Sequence, residues 1–570
     1  MSDAGDKPPS LPGLPFRSTG ESAVLAAAVL VGLLTGVLAT TFRWLVHVLD
    51  ESVGHLREWP EPVGTVAVVA APAIGGLLVG VLVYWVLRVR AGHGVPAVIK
   101  AVAADHPLDD WKMGAKAGTS IVTIGFGGSA GPEGPIVELG AVIGSYAQRW
   151  LRLPGTAVRT LMGCGAASGV AAVFNAPIGG VLFVVEVVMR DISARMLAPM
   201  LLSAVAASAV GQWWFGDAPA FPVPPVRVSG AELWAFPVFG VVCGLVSALF
   251  VRAVSAAGEV GALSRIPEWC RPAAGGLLVG MAAVWLPAAD GEGYDTIAGL
   301  LADPAVLSAA VLLLAAKMFT TAATLGSGGT GGAFAPALVL GAAAGALSAG
   351  LVSAVAPAGI TPEVAGILGM GGLIAGTFQA PLSGLMIALA LAGRDGQMIL
   401  PLMGVTVLAS WVARRLAGAS MYDLSLLREG LDIQALTSLN RLLARRPVAD
   451  LPPLVPVCLR SGQTLGEMID LVGRCDQTVF PLLDGAGGCK GVVMLDDLRT
   501  VLRDQSADLV LVADDLARPA DPALKPNDSL AAAWDAFTRT PADEIVVLSD
   551  AGSPTGLVRR RDLVRMLRVT

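Results

Sequence analysis

Charge is scarce in this 570-residue chain: only 15% of residues are Asp, Glu, Lys or Arg, against 54% hydrophobic, and mean hydropathy is +0.68. A soluble domain carries about 25% charged residues, so the composition excludes an ordinary soluble protein and indicates a membrane protein. The six cysteines (164, 243, 270, 458, 475, 489) form no CxxC pair and no metal-ligand spacing, and read as small apolar residues. With a net charge of −6 and no basic run, nothing points to nucleic acid. No nucleophile–base pair, His/Cys/Asp/Glu cluster or Walker loop is visible, which argues against an enzyme and against a bound metal. The first 21 residues lack the basic start and apolar run of a secretory signal; rich in proline and polar groups, residues 1–21 read as a disordered cytoplasmic tail.

The few charges are unevenly spread. Residues 436–570 hold 34 of them, and the much longer stretch 1–435 holds 50. An apolar body therefore ends near residue 435, and a soluble domain follows. Within the body, runs near the roughly 20 residues that cross a bilayer lie at 23–47, 63–88, 157–174, 197–214, 232–254, 303–325 and 398–415. Three further apolar stretches, 115–149, 326–356 and 361–393, are punctured by glycine and proline. Irregular backbone survives at membrane depth only where it is buried in protein or lines a wet cavity, so a pathway is expected there.

The body repeats itself. "GPIVELGAVIGS" (134–145) matches "APALVLGAAAGA" (335–346), and "FNAPIGGVLFVVEV" (174–187) matches "FQAPLSGLMIALAL" (378–391). Two related halves with broken helices in matching places are the mark of a transporter with its site between them; the pattern does not say whether the halves are inverted. "GHGVP" (92–96), "GPEGP" (131–135) and "GGAFAP" (331–336) each combine glycine with the proline of a first helical turn. Helices starting inside the membrane aim unsatisfied N–H groups and partial positive charge at one point, which makes an anion site without a full charge. Glu133 stands in the midst of one such start.

These motifs resemble those of the CLC family of chloride channels and anion/proton exchangers over residues 22–430: "GHGVP" its GSGIP, "GPEGP" its GREGP or GKEGP, "GGAFAP" its GxFxP, and "SMYDLSLLREG" (420–430) the segment with its inner-gate tyrosine. Lys116 falls where the family keeps a lysine. The resemblance implies a multi-pass, all-α membrane domain of broken helices in two repeated halves, and a homodimer with a separate pore in each subunit. By position, Glu133 and Tyr422 would gate. His93, Gly94, Gly134, Ala333, Phe334 and Tyr422 would surround the anion, chloride above all, with the N–H groups of Ala333 and Phe334 at the central site. Three positions depart from the pattern. His93 replaces the usual serine (or proline), Pro132 replaces arginine or lysine, and Val187 stands where exchangers carry a proton-transfer glutamate, with Glu186 one residue before it. The valine implies a passive channel. A proton-coupled exchanger of the same family is the alternative, and a CBS-regulated cation transporter the remote one, disfavoured by the few acidic residues in the body.

Beyond a linker at 431–447, a second repeat spans 448–505 and 511–570. "QTLGEMIDLV" (463–472) matches "DSLAAAWDAF" (528–537), and Gly491, Leu465 and Asp497 recur 65 residues on as Gly556, Leu530 and Asp562. This α/β pattern resembles a pair of CBS domains, which places the tail, and with it both termini, in the cytoplasm. An adenine nucleotide bound through Asp497 or Asp562 is one implication; Met494 and Arg559 stand where the family prefers serine or threonine. A dimerisation and gating module without a ligand is the other.

Overall fold

The computed structural model describes residues 19–57, 59–89, 94–104, 106–108, 111–190, 194–222, 234–302, 307–355, 360–393, 395–432, 443, 446–452, 454–503 and 511–569. His93, residues 1–18 of the expected tail and most of the expected linker lie outside them. The chain forms two units, 1–431 and 432–570.

The first unit is helical. Among the described residues seven helices are long and apolar enough to cross a membrane, and the unit leaves many large apolar side chains exposed, among them Trp85, Trp213, Leu249 and Trp285. Exposed apolar surface on that scale fits lipid. The first half comprises α1 (Thr19–Arg57), α2 (Val63–Val81), α3 (Val95–Ala103), α4 (Trp111–Gly118), α5 (Ser120–Gly125), α6 (Glu133–Trp150), α7 (Val158–Phe174), α8 (Pro177–Phe183) and α9 (Ala194–Phe215). The second comprises α10 (Phe236–Leu263), α11 (Arg271–Trp285), α12 (Tyr294–Ala302), α13 (Leu307–Gly326), α14 (Phe334–Val355), α15 (Pro362–Phe378), α16 (Pro381–Leu391) and α17 (Ile399–Ala417), with α18 (Met421–Arg428) after it. Element by element the halves correspond, α13 standing for α4 and α5 together.

Local chemistry repeats with the fold. Asn175 and Gln379 end α7 and α15 in the left-handed region, with φ of 50° and 56°, and the Ala-Pro that follows starts α8 and α16. Helices α6 and α7 meet backbone to backbone. A Cβ on Gly140 would lie 2.2 Å from the Gly165 carbonyl oxygen, and one on Gly165 would lie 1.8 Å from that of Gly140. In the other half, a Cβ on Gly369 would lie 2.0 Å from the Gly341 carbonyl oxygen. Small residues at such crossings are how apolar helices associate where lipid removes the hydrophobic driving force.

The two halves join at Gly131 and Gly332, which exchange two antiparallel backbone hydrogen bonds of 2.7 Å each. These glycines are repeat equivalents, so a local two-fold axis passes between them and the two segments run antiparallel where they meet.

The second unit contains two β–α modules. Strands β1 (Leu459–Arg460), β2 (Val479–Leu483) and β3 (Cys489–Met494) form one sheet with β1 and β2 parallel, and β4 (Glu544–Leu548) pairs antiparallel with β5 (Pro554–Arg559). The Leu459–Leu482 pairing of the first module recurs as a Leu524–Val547 bridge in the second, 65 residues on. Val479, Val492, Val546 and Leu557, two from each module, form a shared apolar cluster.

Candidate functional site

The start of α3, with Gly94 as its cap at φ 110°, brings Gly94 and Pro96 to a cavity of about 1080 Å³. Gly134 and Pro135 reach it from the start of α6, Gly331 to Ala333 from the segment leading into α14, and Tyr422 from α18. Four of the residues singled out by sequence thus share one wall: Gly94, Gly134, Ala333 and Tyr422. Tyr422 is positioned by the turn before it, where the Ser420 hydroxyl accepts a hydrogen bond from the Asp423 N–H at 3.2 Å. Its ring stacks on Phe378 with centroids 5.1 Å apart; Phe378 stacks on Phe334 at 5.2 Å, and Phe334 meets Phe174 at 4.9 Å. Phe334 therefore lies two rings behind Tyr422 at the cavity wall, with Phe378 between them.

Glu133 does not line that cavity. Its side chain is 2% exposed, and neither carboxylate oxygen has a hydrogen-bond partner among the described residues. It folds over Gly131, where a Cβ would lie 2.1 Å from Oε2, toward the start of α14. The N–H of Ala335, its own N–H and the Tyr294 hydroxyl face it at looser than hydrogen-bond geometry, with Glu292 and Arg43 as the charged neighbours. The carboxylate thus lies over one helix start while belonging to another.

Val187 is buried in the π-helical turn Val184–Met189, its carbonyl accepting a 3.3 Å hydrogen bond from Arg190 Nε, while Arg190 pairs with Asp423. Glu186 faces another way. Its carboxylate accepts from the Leu382 N–H (3.0 Å), the Ser383 N–H (2.8 Å) and the Ser383 hydroxyl (2.5 Å), and so closes the start of α16.

The structure adds residues that motif reading passed over. Lys317 is fully buried and donates to the Asp290 and Gly291 carbonyls at 3.0 and 2.7 Å. It is the repeat equivalent of Lys116, and the available signal was the same register running further back, "KAGTSIVTIGFGGSAG" (116–131) against "KMFTTAATLGSGGTGG" (317–332). The hydroxyls of that register interlock across the two-fold: Ser129 N–H donates to Thr324 Oγ1 at 3.1 Å, and Thr330 bonds Thr123 at 3.0 Å. Glu138 is buried on α6 beside the cavity; its signal was a second carboxylate five residues past Glu133.

In the tail, Asp497 pairs with Arg518, and its Oδ2 is buried without a partner among the described residues. Asp562 lies in the first turn of the last helix. Arg559 is bound to Glu544 at 2.7 Å, and Met494 ends β3. Asp514 accepts from Lys490 (2.5 Å), Ser461 (2.7 Å) and the Gly462 N–H (2.8 Å), and these donors, the lysine first, hold its carboxyl far below the usual range.

Comparison with known proteins gives a consistent picture. A family model described as voltage gated chloride channel matches residues 75–414, and a CBS domain model matches 512–569. A putative chloride channel protein ClcB-like of Ralstonia nicotianae is 33% identical over 71% of this chain and 97% of its own length. The H(+)/Cl(-) exchange transporter ClcA of Vibrio parahaemolyticus is 29% identical over 72% of this chain and 90% of its own. Among solved structures, a slow cyanobacterial Cl-/H+ antiporter superposes with a TM-score of 0.67 at 25% identity, covering 74% of this chain and 99% of its own.

Proposed function

Because the chain belongs to the voltage gated chloride channel family, we propose that it moves small anions, chloride above all, through the cavity shared by Gly94, Gly134, Ala333 and Tyr422, with Glu133 as the gate. One observation carries the reading: a buried carboxylate without a hydrogen-bond partner among the described residues lies over the helix start of the opposite half, where an anion would be held. A charged side chain at membrane depth costs roughly 2.5–3.5 kcal/mol. A favourable, partly buried helix start returns up to about 2 kcal/mol. The balance is small enough for one proton, or one competing anion, to displace the side chain. Tyr422 closes the opposite end of the route.

Passive movement is the finer part of the proposal. Val187, at the position where the family's exchangers carry a proton-transfer glutamate, has no titratable atom, and Glu186 is committed to the start of α16. Relatives carry both names, channel and exchanger, so flux has to decide. Glu133→Gln mimics the protonated gate and is expected to conduct chloride at pH 7.5 faster than the unmodified chain does at the same pH. A variant still closed at pH 7.5 removes Glu133 from the gate. Liposomes with a chloride gradient and the potential clamped at zero test the rest, and sustained uphill proton movement would establish an exchanger.

Ile178 and Leu382 are repeat equivalents on α8 and α16, 52% and 48% exposed, and fit a face between two copies. A monomeric mass in detergent would remove the dimer. For the tail we propose a gating role, with an adenine nucleotide as its ligand at Asp497 or Asp562. Calorimetry of the whole protein showing no heat with ATP, ADP or AMP at millimolar concentration would leave the gating role alone.

A further inference from the structure

The cavity has a charged wall with no part in the gate. Glu138, on α6 one turn beyond Gly134, is 2% exposed, and Lys116, on α4, is 5% exposed; both line the cavity. Four helical residues rise about 6 Å, so the pair lies just past the helix start that faces the anion route. Of the elements packed against α6, α4 brings Lys116 toward the Glu138 carboxylate and the start of α3 brings the Gly94 N–H; α1, α7 and α14 set no charged group against it among the described residues. Glu138 Oε1 is without a hydrogen-bond partner among the described residues, as is the hydroxyl of Ser120, which lines the same cavity. Among the described residues, the other titratable groups lining the cavity are Tyr84, Arg88, Glu268, Arg271, Tyr422 and Arg428, and Glu133 lies at the start of α6 outside the cavity.

A carboxylate in the wall of an anion route repels its cargo unless a cation cancels it. We propose that Glu138 and Lys116 form a proton-operated charge switch on the anion route, separate from Glu133. With Glu138 ionised the pair is neutral, and the helix starts alone attract the anion. When Glu138 takes up a proton, Lys116 is left as a net positive charge beside Gly94 and Gly134, anion occupancy rises, and flux rises with it. The inference rests on the anion-pathway reading and adds a second acid response to it, one that persists when the gate is held open.

The experiment is chloride efflux from liposomes holding the whole protein in the Glu133→Gln background, with equal pH on both faces stepped from 8 to 5. Flux is expected to rise about three- to tenfold, the scale of one unit charge acting over several Å in a partly solvated site. Adding Glu138→Gln is expected to give the high flux at every pH. Lys116→Met, which keeps Glu138, is expected to move the response to higher pH, because a carboxylate without its cation holds its proton more tightly. A pH response that survives Glu138→Gln, or a midpoint unmoved by Lys116→Met, overturns the switch while leaving the pathway standing. Absence of chloride flux from every variant and from the unmodified chain overturns the pathway, and the switch with it.

Discussion

Lys116 and Lys317 occupy equivalent places in two halves related by the two-fold axis at Gly131 and Gly332, yet they do different work. Lys116 lines the cavity and faces Glu138; Lys317 is fully buried and binds the carbonyls of residues 290 and 291. The same divergence runs through the register: Glu133 answers to Phe334, Glu138 to Val339, and Val187 to Leu391. One backbone plan has been used twice and given two chemistries. Backbone packing needs small residues and helix breaks in both halves, because each half must bury the same crossings. The ionisable groups have no such duty and differ freely.

That comparison breaks first, and hardest, at the shared packing. Gly140→Val and Gly341→Val place a side chain into backbone 2.2 and 2.6 Å from the new Cβ. Each is expected to cost more than about 4 kcal/mol, the range of severe core disruption. Both should abolish recovery of monodisperse protein after detergent extraction. Normal recovery of one but not the other would show that the halves do not bear the fold equally.

The lysines sharpen it. Lys317→Met removes two hydrogen bonds from a charged donor, each worth about 1.5–3 kcal/mol, partly offset because a buried charge goes with them. A fall in thermal stability with the acid response of chloride flux unchanged is expected, the converse of Lys116→Met. A shifted acid response in Lys317→Met would erase the distinction between the two positions.

The smallest effect belongs to the tail, where the same contrast recurs between modules. Asp514 is clamped by Lys490 and Ser461, whereas the residues 65 away from these three are Ala449, Thr555 and Pro526. Since its folded-state pKa is lowered, by Lys490 foremost, the ionised carboxylate adds stability above the unfolded pKa of about 4. That stability is lost as pH falls through the folded value. Asp514→Asn is therefore expected to lower the melting temperature slightly at pH 7, with the difference shrinking under strong acid. An equal difference at pH 7 and in strong acid would deny the clamp any ionic part.

Much of the site was legible along the chain, because helix starts act through their own backbone. Gly94, Gly134 and Pro135 declare themselves by residue type wherever they are brought together. The place of Glu186 was half legible: one residue from Val187 it had to face elsewhere, but its partner, the start of α16, is about 200 residues away and no local pattern names it. Lys317 was missed for the same reason, since its acceptors are carbonyls of residues 290 and 291, in a different segment of the chain.

The sequence by itself determined that this is a membrane protein of two repeated halves with interrupted helices, a carboxylate at one interruption and a paired tail. Composition and periodicity are properties of neighbours along the chain, and they suffice for that. Only the tertiary structure decided that the halves meet at an antiparallel pair of equivalent glycines, that Glu133 lies over the helix start of the other half, and that Glu138 and Lys116 meet at the cavity wall. Each of these is a pairing between distant residues, and a buried charge takes its meaning from the partner that folding sets beside it.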